Sequence, residues 1–243
     1  MRLLTFAKRN AKEILRDPLN LGFLFGFPVV LLLLLSAIQA NIPVSLFEIA
    51  HLSPGIAVFG LSFMTLFSAT IISKDRQSSF VQRLYTTPMR PVDFILGYTL
   101  PLIPIAVAEC LVTYAFAVIL KLEINVYILI SILFMIPVAI LYIGLGLLCG
   151  SIFNDKQVGG ICGALLTNVS AWLSGIWFDL ELMGGAMKKI AYALPFVHTV
   201  EMQRAIIRGD MAGIFPHLWW VLGYGIAVTA IAVLVYLRQM KKQ

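Results

Sequence analysis

Charge is what this 243-residue chain has least of: 12% Asp, Glu, Lys and Arg, about half the ~25% of a soluble globular protein. So thin a polar coat cannot cover a water-facing surface, which excludes a large soluble catalytic domain and a disordered chain. Cysteine is scarce as well. Cys110, Cys149 and Cys162 each sit inside an apolar run, as small packing residues and not as disulfide partners or metal ligands. None of the three histidines, His51, His198 and His217, has a second ligand at metal-binding spacing. There is no G-x-x-x-x-G-K-[ST] loop, so the chain does not bind ATP by that device. Ser174 lies in an apolar run, but no histidine lies in any run to activate it, which argues against an intramembrane serine protease. No basic stripe is interleaved with aromatics, so the net charge of +6 does not point to nucleic acid.

What the chain has in abundance is apolar residues, 60% of the total. They cluster in six runs, roughly residues 21–38, 55–73, 94–120, 127–150, 158–178 and 218–237. Each is close to the ~20 residues that span a bilayer as helix. Pro28, Pro101, Pro104 and Pro137 fall within or at the ends of runs, where membrane helices tolerate them. The pattern predicts an all-α polytopic membrane protein, one transmembrane domain over residues 1–243. The N-x-S match at Asn168 lies inside run five and cannot carry a glycan.

Residues 1–17 hold Arg2, Lys8, Arg9, Lys12 and Arg16 against Glu13 and Asp17. At 100° per residue Leu3, Leu4, Ala7, Ala11, Ile14 and Leu15 share one arc and the basic residues the next, as in an amphipathic helix lying in a membrane surface. Pro18 ends it. The charged stretch is too long, and the apolar run after it too extended, for a cleaved signal peptide, so the first span is expected to be uncleaved. With the N-terminus inside, thirteen of the eighteen Lys and Arg fall on the cytoplasmic side. Four of the other five lie in the long segment after run five, where the positive-inside bias is weaker, so both termini are expected in the cytoplasm.

Two segments between runs stand out. In residues 74–92, Phe80, Val81, Leu84, Tyr85 and Pro88 share one helical side and Ser79, Gln82, Arg83 and Thr86 the other, with Pro88 and Pro91 ending the pattern. Periodicity alone fits an interfacial helix on lipid as well as a docking element for a cytoplasmic partner. Residues 179–217 carry too many charges to span, with a Gly184-Gly185 break and a helical pattern from His198. Arg204 and Arg208 are four apart there, Glu201 pairs at i+3 with Arg204, and Gly209 is the C-cap. Short external helices that partly re-enter the bilayer satisfy both constraints.

These segments carry a resemblance. SSFVQRLYTTPMRPVDFILGYTLP, from Ser78, resembles the loop between spans two and three of type-2 ATP-binding-cassette (ABC) permeases, with its R-L-x-x-T-P core and a glycine opening span three. ALPFVHTVEMQRAIIRGD, from Ala193, is similar to that family's signature before the final span, through Pro195, Arg204 and Gly209. Ser78-Ser79 stands where relatives carry a glycine before the R-L core, and Asp75 stands for their acid. The resemblance extends over essentially the whole chain.

The resemblance implies a permease subunit of an ATP-driven exporter in a bacterial cell membrane. It would work as a dimer with a second copy or a sister permease, and with separate cytoplasmic ABC ATPase chains that bind ATP and Mg. Residues 78–88 would be the coupling helix, with Ser79, Phe80, Arg83, Leu84 and Tyr85 at the ATPase, and Asn154, Asp155 and Lys156 the second contact. The transport path would run between protomers, lined by Phe59, Ser62, Phe63 and Thr65 of span two and Thr167, Asn168, Ser170 and Ser174 of span five. Ordinary packing of small residues explains the same stripe. Glu109, an acid within span three, is read as a structural hydrogen-bonding group, with Asn168 one candidate partner, and a protonated acid or a contact with cargo as the alternatives. The aromatic and weakly polar walls suit a hydrophobic or amphipathic cargo (drug, antimicrobial peptide or lipid). Export of a polysaccharide or polyprenyl-linked glycan, or a secondary carrier or immunity protein without an ATPase, are the alternatives.

Overall fold

The structure, a computed structural model, describes residues 2–42, 47–78 and 91–240. Every regular element among them is helical. Helix α1 (Arg2–Leu15) ends before Pro18, as expected. Asp17 then caps α2 (Pro18–Gln39), its carboxylate accepting from the Asn20 amide at 3.1 Å and from the Asn20 side chain at 2.7 Å. Over Gly22–Gly26 the turns of α2 widen to π type. Helix α3 (Ile49–Gln77) is the centre of the bundle, sheathed on nearly every face. Helix α4 comes in two pieces, Pro91–Thr99 and Leu102–Ile119, broken at Pro101. Helix α5 (Val126–Ile152) continues straight through Pro137.

Helix α6, residues 155–173, joins a four-residue first turn, a π-type stretch Gly159–Leu166 and an α-helical end Thr167–Leu173. A short 3-10 turn, Leu180–Met183, leads through Gly184 (φ +80°) to α7 (Gly185–Ala193). Helix α8 (Pro195–Ile207) begins on Pro195 at its first position. It ends at Gly209 (φ +76°), whose N–H and that of Asp210 return to the carbonyls of Ile206 and Ala205. Helix α9 (Met211–Met240) closes the chain.

Among the described residues five helices are long and apolar enough to cross a membrane: α2, α3, α4 over Val92–Ile119, α5 and α9. They contain five of the six expected runs. The remaining run forms α6, which is roughly 28 Å long at 1.5 Å per residue. Polar Asp155, Lys156 and Gln157 in its first turn and Thr167 and Asn168 midway keep α6 out of that group. Helix α8 is not a surface helix: all but Glu201 of its residues are buried, sunk between α3, α5 and α9.

Close backbone approach organises the core. A Cβ on Gly146 of α5 would stand 2.5 Å from the Thr65 carbonyl oxygen of α3, and one on Gly150 would stand 2.7 Å from that of Ala69. Across the same seam the Thr65 and Ser68 hydroxyls donate to the α5 carbonyls of Tyr142 (3.0 Å) and Ile143 (3.1 Å). Small residues and hydroxyls replace the hydrophobic drive that helices lack in lipid.

Candidate functional site

Helix α1 buries Phe6 and Asn10 against the start of α4 and Ile14 beside a cavity shared with Phe67, Thr70 and Ile71 of α3, and leaves Leu4 and Leu15 exposed, so its apolar arc is divided between protein and surroundings. Phe6 lies against Gly97, where a side chain would collide with its ring, and edge-on to Tyr98 at 5.0 Å. The Asn10 side-chain amide donates to the Gly97 carbonyl at 2.9 Å. Arg9, grouped by periodicity with the lipid-facing cations, turns inward. Its guanidinium forks onto both oxygens of Asp75 at 2.6 and 2.9 Å. Tyr98 donates its hydroxyl to Asp75 Oδ2 at 3.0 Å.

The next residue, Arg76, reaches the other way. It donates to the Gly150 carbonyl at 2.7 Å, to that of Phe153 at 3.5 Å and to the Gln239 side chain. Two adjacent, oppositely charged residues at the end of α3 therefore grip α1 and α4 on one side and α5 and α9 on the other.

Ser79, Phe80, Arg83, Leu84 and Tyr85, expected to face an ATPase, lie outside the described residues. Asn154, Asp155 and Lys156 lie just beyond Phe153, beside the end of α3. Asn154 is the N-cap of α6 and forms a reciprocal capping box with Gln157, at 2.9 and 3.1 Å. Lys156 is exposed and Asp155 half-buried.

The residues expected along a path divide into two groups. Phe59 and Phe63 are stacked edge-on at 5.6 Å and belong to an aromatic cluster with Phe27 of α2 and Trp177 beyond α6. Sequence reasoning missed the last two, since nothing local links them to α3. Ser62 and Thr65 are buried and bonded to the carbonyls of Phe59 and Tyr142. On α6, Thr167, Ser170 and Ser174 are buried and return their hydroxyls to α6 carbonyls. Asn168 is exposed and donates to the Ala164 carbonyl at 2.7 Å. With Leu165, Val169, Trp172, Met183 and Met187 it lines an apolar groove of about 660 Å³.

Glu109 is fully buried against Gly60 of α3 and accepts from the Thr113 hydroxyl at 2.9 Å and the Cys110 thiol at 3.5 Å. Its bonded partner is one turn along its own helix and not Asn168. Cys149 and Cys162 meet between α5 and α6 as free, buried thiols.

At the far end, buried Arg204 clamps three elements. Its Nη2 donates to the Gly175 carbonyl (3.0 Å), Nε to that of His51 (3.3 Å), and Nη1 to Glu201 (3.0 Å). Desolvation pulls the guanidinium pKa down while Glu201 opposes it. Gly175 has φ +73°, a left-handed turn that aims its carbonyl at the clamp. Arg204 and Glu201 also line an open cavity of about 570 Å³ with Glu48, Asp179, Glu181, Trp177, Phe178 and Tyr192. Nearby, His198 Nδ1 meets His217 Nδ1 at 2.9 Å and His198 Nε2 meets the Tyr192 carbonyl at 3.0 Å. Since a carbonyl only accepts, Nε2 carries hydrogen, and in the neutral ring Nδ1 accepts from His217. No cluster of three or more metal-ligating side chains exists among the described residues.

Among the described residues, nothing in this geometry assembles a nucleophile with a base. It is a bundle whose central helix is tied to its neighbours at both ends. No curated protein matches the chain. The family model for ABC-2 type transporters matches residues 1–207, taking in every tie at the end of α3 except Gln239, and the Arg204 clamp. A multi-pass membrane protein, this chain belongs to the ABC-2 type transporter family, as a membrane subunit of an ABC transporter and not its ATP-hydrolysing part.

Proposed function

We propose that the chain is the permease of an ATP-driven exporter, dimeric with a second copy or a sister subunit, and driven by separate ABC ATPase chains that hold ATP and Mg. Residues 78–88 and 154–156 are its ATPase contacts. The observation that carries this reading is convergence: the end of α3, from which residues 79–90 depart, lies beside Phe153, after which residues 154–156 follow. One partner can touch both. That side also collects α1 and the end of α9, and with them nine of the fourteen lysines and arginines among the described residues, which supports a cytoplasmic position for it and for both termini. Helix α6 serves as the sixth span. The exposed groove around Asn168 and Trp172 and the aromatic cluster at Phe59 and Phe63 favour a hydrophobic or amphipathic cargo over a highly charged one. The setting is a bacterial cell membrane.

The test is co-purification with an ABC ATPase, repeated with Phe80→Asp and Leu84→Asp. The wild type carries the ATPase and alters its hydrolysis rate. Either variant loses both while melting as the wild type does. Undiminished co-purification by both variants removes the docking assignment.

A further inference from the structure

We propose that the Arg9–Asp75 ion pair, completed by Tyr98, is a mechanical latch that makes α1 and the first turns of α4 move with the end of α3. This deepens the permease reading and rests on it: Arg9 and Asp75 are positioning residues for coupling.

Helix α1 is anchored along one side. Its buried side is narrow, Phe6, Asn10 and Ile14, and Leu4 and Leu15 remain uncovered. Apolar contact fixes α1 to α4 through Phe6 and Gly97, and the Asn10 bond to the Gly97 carbonyl adds register. These contacts tie α1 to α4. Towards α3, Ile14 shares a small cavity with Phe67, Thr70 and Ile71, and the directional link is the Arg9–Asp75 pair, bridging residues 66 apart in sequence.

Its chemistry suits force transmission. A guanidinium forked onto a carboxylate resists rotation as well as separation, which a single ammonium contact does not. Asp75 is 3% exposed, so water competes poorly for it, and the Tyr98 hydroxyl shares Oδ2. Three residues separate Asp75 from residue 79, where the segment that the permease reading gives to the ATPase continues. Displacement of that segment pulls first on Asp75 and Arg76. Through Asp75 it acts on α1 and α4, and through Arg76 on α5 and α9.

The test uses the permease in complex with its ATPase, spin-labelled in pairs at exposed positions. Lys12→Cys with Ile124→Cys reports α1 against the far end of the bundle, and Lys74→Cys with Ile124→Cys reports α3. The native thiols are buried. On trapping with ATP and vanadate, both distances shift together in the wild type. In Arg9→Ala the α3 shift persists and the α1 shift falls by at least half. Arg9→Lys, which keeps the charge and loses the fork, falls between. The exchange Arg9→Asp with Asp75→Arg restores part of the α1 shift, which a purely structural role would not require. An α1 shift as large in Arg9→Ala as in the wild type overturns the latch, and so does a wild type in which α3 shifts and α1 does not. Absence of any bound ATPase overturns the permease reading instead. The latch is then judged on the chain alone, where Arg9→Ala must speed amide exchange in α1 about tenfold and leave α5 unchanged.

Discussion

Replacing Gly146 with alanine adds one methyl group in the tightest seam of the bundle. Its Cβ would stand 2.5 Å from the Thr65 carbonyl oxygen and 2.6 Å from Ser68 Cβ, where ordinary contact begins at 3.4 Å. One of these neighbours is backbone, so α3 and α5 must part by about 0.9 Å, the difference between 3.4 and 2.5 Å. That displacement stretches Thr65–Tyr142 and Ser68–Ile143, now 3.0 and 3.1 Å, beyond hydrogen-bonding range, at about 0.5–1.5 kcal/mol each. A gap of this size also forfeits about a quarter to a half of the dispersion attraction across the seam. Alanine's better helix propensity returns at most about 1 kcal/mol. The net expectation is a loss of about 2 kcal/mol. Gly160→Ala on α6 is the matched control, since its Cβ would meet nothing within 4 Å. Denaturation in detergent, followed by tryptophan fluorescence, should show Gly146→Ala clearly destabilised and Gly160→Ala unchanged or slightly stabilised. Equal stability of the two would refute the close α3–α5 approach.

Gly60→Ala should destabilise by about 1–3 kcal/mol because its Cβ collides with the Glu109 carboxyl. Gly60→Ala combined with Glu109→Ala should recover at least about 0.5 kcal/mol of the summed losses, and strict additivity would separate the two side chains. Arg204→Lys should cost about 1–3 kcal/mol for each carbonyl it deserts, at His51 and Gly175, and limited proteolysis after α6 should accelerate. An unchanged cleavage pattern would deny the clamp. Burial holds the His198 imidazole below its ordinary value, with the Tyr192 carbonyl opposing and His217 lowering it further. The unfolded chain therefore takes up the proton first as pH falls through about 6.5, and stability is lost below that range. Between about pH 7.5 and about pH 5.5 the wild type should lose more thermal stability than His198→Gln, and identical slopes would contradict the pairing with His217.

Local grammar was easy to read in this chain. Pro18, the Gly184 break, the Gly209 cap and the Glu201–Arg204 pair all fall where spacing put them, because each is decided within a few residues, whereas α8 begins on Pro195, three residues before the expected start at His198. Partnership across the bundle was not legible. G-L-L-C-G at 146–150 and G-G-I-C-G at 159–163 look alike, yet the first is pressed against the α3 backbone, while in the second Gly159 and Gly160 meet nothing and Gly163 meets the flexible end of Leu66. Spacing made Thr167, Ser170 and Ser174 one stripe, and which way it turned depended on α3, more than ninety residues earlier in the chain. Arg9 belonged by periodicity with Lys8 and Lys12. Only the fold brings Asp75 within reach, and only that contact separates a latch from a lipid-facing cation.

The central claim is that this subunit moves cargo only when a separate ATPase drives it. Its most direct test is reconstitution in liposomes with and without the co-purifying ABC ATPase, reading nucleotide hydrolysis and nucleotide-dependent change in the wild type beside Leu84→Asp. Coupled hydrolysis that requires both chains and fails in Leu84→Asp is the expected result. Gradient-driven flux through the purified chain alone, indifferent to Leu84→Asp, would contradict it.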